Sequence, residues 1–333
     1  MIRVHRRHSF LFLSLLALLG AVPLARAAQP ADADAAPSKF LRFVADKHGG
    51  GTLQASSVRY ENADGVSVDL VAAVHIAEPS FFQSLEASWD DYDAVLYELV
   101  APKGMLGPST QGSNLRTLQP TTRQSGMRRS FQMNMVGSFQ KFMRDQLKLS
   151  FQLEAIDYKR PNFIHADLDA ETFQKMQSDR GESILSLMLE SMFREMSRGP
   201  GGGGAAGPSL PELMMAMKSP DKARQLKLLL GRQFGRIDEQ LAGMEGDKGS
   251  VLLTERNKAA MRVLKETLAK GDKRNIAIFY GAGHLKGMDK ILTEEMGFHQ
   301  VGPPFWRVAW DMTGTASPTT KPTSKPAPAE AGV

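Results

Sequence analysis

Strand-length apolar or alternating stretches fall at residues 57–61, 66–74, 94–100, 152–157, 275–280 and 305–310. Between them apolar positions recur at helical spacing, over 80–88 behind Pro79 and over 130–148, 170–196, 210–241, 250–270 and 286–296. The strands gather toward the two ends of the pattern, whereas residues 130–244 read as nearly all helix and are rich in Met. This order predicts an α/β fold: a central mixed sheet flanked by helices, with a large helical insertion between the N-terminal and C-terminal strand groups. The run Ala94-Val95-Leu96-Tyr97 does not alternate at all, which marks a strand covered on both faces. Met188, Met192 and Met196 form a stripe that reads as adaptable core packing.

The ends of the chain have a different character. Residues 1–27 carry Arg3, Arg6 and Arg7, an apolar run from Phe10 to Leu19 and the small-x-small triplet Ala25-Arg26-Ala27, the pattern of a secretory signal peptide. A leader follows over 28–48, the α/β domain is expected over 49–312 with a Gly-rich loop at 198–208, and 313–333 is a Pro/Thr/Lys tail expected to be disordered. The protein is therefore expected in the periplasm or outside the cell. No later stretch is long enough to span a bilayer, so no stable membrane span is expected once the signal is removed. Nothing in the pattern sets an oligomeric state.

Charge and composition then narrow the chemistry. The net charge of +5 suggests nucleic acid, but four of the 41 basic residues lie in the signal segment without an acidic neighbour, and the remainder is 37 basic against 36 acidic. Nucleic acid is accordingly not an expected partner. The chain has no Cys, which excludes disulfides, thiolate nucleophiles and Cys-held metals. Metalloprotease H-E-x-x-H, hydrolase-elbow G-x-S-x-G and P-loop signatures are absent as well. The glycine cluster Gly281-Ala282-Gly283-His284-Leu285-Lys286-Gly287 looks like a dinucleotide fingerprint, yet too few strand–helix units follow it to build such a domain. Its glycines instead suggest a close backbone approach to His284.

Four residues break the apolar pattern where structure alone explains them poorly. His75 follows the strand ending at Val74, Glu98 interrupts the run 94–100, and His284 follows the strand 275–280. These are strand carboxyl ends, where open α/β sheets place ligands. Arg256 shares a helical stripe with Leu252, Leu253, Ala260, Val263 and Leu264, so it faces the core and needs an acid; Glu98 is the natural partner. One reading is a structural ion pair with two core histidines. The other is a hydrolytic metal site: His75 and His284 as metal ligands, Glu98 as ligand or general base, Arg256 as its orienter or as oxyanion donor. Additional candidates are His165 and Asp167, two apart in an extended segment, Glu78 as an acid behind His75, and Asn257 beside Arg256. Asp167 or Asp169 could equally cap a helix. Trp306 and Trp310 alternate with Val308 and read as strand packing.

Val74-His75, Tyr97-Glu98-Leu99, Glu255-Arg256-Asn257 and Gly281-Ala282-Gly283-His284, in this order and separation, resemble the TraB/PrgY/GumN family, which includes the Tiki proteins. The resemblance runs over about 57–311. It implies a fold similar to the erythromycin-esterase and ChaN-like proteins and a divalent-metal-dependent hydrolase, a Tiki-like metallopeptidase, acting on a peptide or protein substrate. It favours manganese or cobalt as the cofactor, with zinc a further candidate. By the same resemblance His75 and His284 would be the metal-site histidines and Glu98 and Arg256 the paired catalytic residues. Ala72 stands where the family has Gly. Two rival functions remain open: a non-catalytic protein that sequesters a peptide signal, and a metal-independent esterase-like hydrolase with His75 or His284 as base.

Overall fold

A computed structural model of the chain describes residues 38–102, 146–182, 210–235 and 249–314. The signal segment, the Met stripe, the Gly-rich loop and most of the tail fall outside these residues, as does nearly all of the helical pattern at 130–148. The fold opens with β1 (Leu41–Ala45), β2 (Gly51–Glu61), β3 (Ser67–Ala73), β4 (Ile76–Ala77), α1 (Pro79–Glu86) and β5 (Ala94–Tyr97). After β6 (Ser150–Phe151) come the single turn α2 (Gln152–Ala155), β7 (Phe163–His165) and α3 (Ala170–Arg180), then α4 (Leu210–Lys218) and α5 (Lys222–Phe234). The last stretch is α6 (Arg256–Ala269), β8 (Asn275–Gly281), α7 (Ala282–Glu295), β9 (His299–Gln300) and β10 (Phe305–Asp311).

Eight of these strands form one mixed sheet in the order β1-β2-β3-β8-β5-β7, with β9 and β10 also paired to β2. Its β2 end is antiparallel; β3, β8, β5 and β7 are parallel neighbours. This is the α/β fold expected from the pattern. The inner parallel strands are buried on both faces, every residue of β8 after Asn275 and Ala94, Val95 and Leu96 of β5 being covered, whereas the parallel edge strand β7 is only half-buried. Helices α6 and α7 pack on each other and over β5, β3 and β8, while α5 lies over β1, β2 and β10. Trp310 fills the junction of β10 with α5, its indole N–H donating to the Ile76 carbonyl at 2.6 Å.

Several expected boundaries move, each for a local reason. The leader assigned to 28–48 contains β1, which pairs with β2 from Leu41↔Ala55 to Ala45↔Gly51. The strand expected at 152–157 is a helical turn, because Gln152 and Ile156 are buried four apart while Leu153 is exposed. The helix expected from 170 stops at Gly181, whose φ of 66° suits a residue without a Cβ, and Asp169 caps its other end by accepting from the Thr172 N–H at 2.9 Å. Pro220 splits the pattern at 210–241 into α4 and α5, with Asp221 as the new cap. The stretch 130–244 is not a purely helical insertion, since β7 lies within it and forms an edge of the main sheet. Finally, α7 begins at Ala282, directly from β8, so His284 sits in a first helical turn rather than beyond a glycine turn.

Candidate active site

The parallel strands all deliver their carboxyl ends to one edge of the sheet. Register places Ala73 beside Gly281, and Tyr97 beside both Phe279 and His165. Glu98, one residue past β5, therefore stands between the end of β8 and the segment leaving β7, where Asp167 lies. Glu98 keeps its backbone in line by donating to the Phe279 carbonyl at 3.1 Å. Arg256 opens α6 after a wide π-type turn (Val251–Glu255), and the stripe of Leu253, Ala260 and Leu264 turns it inward as the spacing predicts.

Arg256 is 2% exposed and closes the cluster. Its Nη2 donates to Glu98 Oε1 at 2.5 Å and to Asp167 Oδ2 at 2.6 Å, its Nε to Asp167 Oδ1 at 3.0 Å, and its Nη1 faces His284 Nε2 at 3.2 Å. A guanidinium has five N–H groups, so among the described residues one N–H on Nη1 is left for a further acceptor. The other Glu98 oxygen accepts from the Gly281 N–H at 2.6 Å. A Cβ on Gly281 would stand 3.0 Å from Glu98 Oε2, so that glycine serves close approach by the carboxylate rather than by His284. His284 Nε2 is 3.7 Å from Glu98 Oε1, its Nδ1 is 2.7 Å from Asn257 Oδ1, and its ring meets Tyr280 edge-on with centroids 5.2 Å apart.

Burial pushes the Glu98 carboxyl up, but the Arg256 guanidinium, the two histidines and the Gly281 N–H outweigh it and hold the group below the usual carboxylate range. Burial likewise disfavours the charge on Arg256, yet Asp167 and Glu98 keep it firmly protonated. His284 goes the other way: burial, with Arg256 adding to it, outweighs Glu98 and lowers the imidazole to about 4. The cluster thus holds a neutral imidazole beside two carboxylates that share one guanidinium, one negative charge in excess.

His75, two residues past β3, acts electrostatically on both Glu98 and His284. Its Nε2 is buried and, among the described residues, has no hydrogen-bond partner. Such an atom costs about 1–3 kcal/mol, which a ligand or ion would relieve. Nearby, Gln152 donates its backbone N–H to the His75 carbonyl at 2.9 Å and its amide Nε2 to Tyr158 at 2.9 Å, and its Oε1 is likewise without a partner.

Of the residues singled out by sequence, Glu98, Arg256, His284, Asp167 and Asn257 come together, with His75 beside them. Asp167 enters as a partner of Arg256 and caps no helix; the cap is Asp169. His165 turns away, its Nε2 2.7 Å from the Leu99 carbonyl and its ring against Tyr97. Glu78 does not back His75 either: it pairs with Lys227 of α5 at 2.7 Å. Sequence reasoning missed Tyr280, whose buried hydroxyl donates to the Ala166 carbonyl at 2.7 Å, and Gln152. An aromatic ending an apolar strand and a polar residue in an alternating stretch give no signal of their own.

The donor types suit a divalent ion in part. Two neutral-capable imidazoles, one with an unspent nitrogen, and a net negative charge favour a cation. Against this, both carboxylates are spent on Arg256, and among the described residues no three His, Asp or Glu side chains are grouped to hold a metal. His75 has the open nitrogen, whereas for His284 to join it in holding an ion its Nε2 would have to give up Arg256. Comparisons with family models, with curated proteins and with solved structures find no match for this chain. The fold and cluster define an α/β protein with a buried His–Glu–Arg–Asp site at the carboxyl edge of its parallel strands.

Proposed function

We propose that this protein is a secreted or periplasmic hydrolase that cleaves peptide bonds with the help of a divalent metal ion. The observation that carries the reading is the unpartnered, buried His75 Nε2 beside the Glu98–Arg256–His284 cluster. When bound to His75 and His284, a divalent ion would supply a water acidified toward neutrality. Glu98, held anionic beside that position, would be the carboxylate available to orient the water and accept a proton from it. Arg256 fixes Glu98 and offers its remaining Nη1 N–H to the oxygen on which charge develops. His284 stays neutral and presents no competing positive charge. Support for the peptide substrate, the metal and the location comes from the four ordered motifs and the signal-peptide pattern. Among the described residues no helix is long and apolar enough to cross a membrane.

A second reading has an observation of its own. Because Arg256 already engages both carboxylates and His284 Nε2, His75 is, of the two site histidines, the one with a nitrogen open to act as a general base without any metal. The test is elemental analysis of residues 28–333, untagged, after loading with manganese, cobalt or zinc, beside a His75→Ala/His284→Ala double variant, with turnover of a peptide library in the presence and absence of chelator. Near-stoichiometric metal that the variant loses, with chelator-sensitive cleavage, supports the metallohydrolase. Cleavage without metal selects the second reading. Neither metal nor cleavage refutes both and leaves a peptide-sequestering protein.

A further inference from the structure

We propose that Asn257 is the positioning residue for His284, fixing the imidazole as its Nδ1–H tautomer so that the Nε2 lone pair faces Glu98 and Arg256. The argument starts with the amide. Asn257 follows Arg256 on α6, is 5% exposed, and donates its Nδ2 N–H to the His284 backbone carbonyl at 3.1 Å. That bond settles which way the amide points: Oδ1 is turned to the ring, 2.7 Å from Nδ1. A carbonyl oxygen only accepts, so Nδ1 carries the proton and donates. The opposite nitrogen agrees, because the group facing Nε2 at 3.2 Å is a guanidinium N–H, which only donates. Of the two contacts, the one to Asn257 is shorter by half an ångström, and it alone is tied to the backbone of the residue it orients.

The facing helix is built to admit this amide. Gly287 lies one turn after His284 on α7, where glycine is a poor helix former. A Cβ at that position would stand 2.6 Å from Asn257 Nδ2. The glycine nearest the Asn257 amide is thus Gly287, a role distinct from that of Gly281 at Glu98. Asn257 and Gly287 together lock α6 to α7 at the height of the histidine. The arrangement rests on the hydrolase reading only for its purpose, an Nε2 held ready for an ion or a proton; the tautomer itself is independent of it.

The experiment is ¹⁵N NMR of histidine-labelled, chelator-treated protein at neutral pH, with the His284 signals identified by their loss in His284→Gln. The wild type is expected to show an unprotonated Nε2 and a protonated Nδ1. Asn257→Ala is expected to convert this single tautomer into a mixture or into the Nε2–H form. Gly287→Ala, which keeps Asn257 but displaces its amide, is expected to do the same, and its gain in helix propensity guards against unfolding. Thermal melts establish that each variant is folded. A protonated Nε2 in the wild type would overturn the proposal. So would a pure Nδ1–H tautomer retained in both variants, which would pass the role to Arg256. Because the readout is a nitrogen chemical shift, it holds whether or not any substrate is turned over, so its failure is distinguishable from failure of the hydrolase reading.

Discussion

Replacing Arg256 by Met keeps an unbranched apolar stem and removes the guanidinium with its charge, and the structure says what this leaves behind. Glu98 and Asp167, both buried, lose the guanidinium that donates to each of them. Deleting one partner of a buried ion pair costs about 3–5 kcal/mol, because the other charge stays uncompensated. At about 2–4 °C per kcal/mol for a domain of 150–250 residues, melting should drop by ~6–20 °C near neutral pH. The pH dependence carries the sharper test. In the wild type, burial is outweighed by Arg256 and the Glu98 carboxyl titrates below its unfolded value of about 4.3, so its contribution is present above that pH and is lost only as pH falls through the depressed folded value. Without Arg256, burial dominates and the folded value rises above 4.3. The variant then binds its proton more tightly when folded and loses stability as pH rises through that higher value. The gap between wild type and Arg256→Met should therefore be wider at pH 8 than at pH 5. Far-UV circular-dichroism melts of both metal-free proteins at the two pH values measure it. A gap under about 1 kcal/mol at both, below the range for a broken buried pair, would refute the claim that one guanidinium neutralises the carboxyl edge of the sheet.

Further outcomes follow from the same geometry. Glu98→Gln should lower hydrolysis by about 10²–10⁴-fold, the usual worth of a general base, as measured on whichever library peptide the wild type cleaves; unchanged turnover removes Glu98 from the chemistry. His75→Ala should abolish metal binding and turnover without destabilising the fold, since among the described residues its Nε2 has no hydrogen bond to lose; full metal occupancy in that variant would argue against His75 as a ligand. His284 titrates at about 4 when folded against about 6.5 unfolded. Its contribution is thus present above pH 6.5 and lost as pH falls toward 4, on the order of 3 kcal/mol in all. Denaturant titrations of the metal-free wild type and His284→Gln across that window should show the flatter profile in the variant.

What the sequence made legible was the part with a strong period or a strong anomaly. Unalternating runs located β5 and β8, and a charged residue breaking each local pattern marked Glu98 and Arg256 as partners. The positions that misled were those where a local pattern serves two structures. The segment from Gln152 alternates like a strand, yet burial of Gln152 and Ile156 four apart makes it a turn of helix. His165 and Asp167 share an extended segment, but only Asp167 reaches the centre, because Arg256 claims both its oxygens while His165 finds the Leu99 carbonyl. Glu78 shows the same limit: nothing near it in sequence announces Lys227, 149 residues away. Asn257 and Gly287 were visible as letters in motifs, but their mutual fit depends on how α6 meets α7, which no one-dimensional spacing records.

The cluster joins partners 158, 89 and 28 residues apart in the chain through one side chain, Arg256. It is therefore a structural clasp as well as a candidate centre of chemistry. This dual role makes loss of activity in Arg256, Glu98 or Asp167 variants ambiguous, since each also loosens the edge where β5, β7 and β8 end. His75 is the member of the site that the clasp through Arg256 does not use. Its backbone carbonyl is used, by Gln152, but among the described residues its imidazole Nε2 has no hydrogen-bond partner. A clasp alone has no use for a half-buried imidazole whose buried Nε2 finds no partner among the described residues, because such an atom costs stability. A protein that must hold an ion or move a proton beside Glu98 does. On the proposed reading, variants at His75 should remove function with the fold intact and so separate chemistry from architecture.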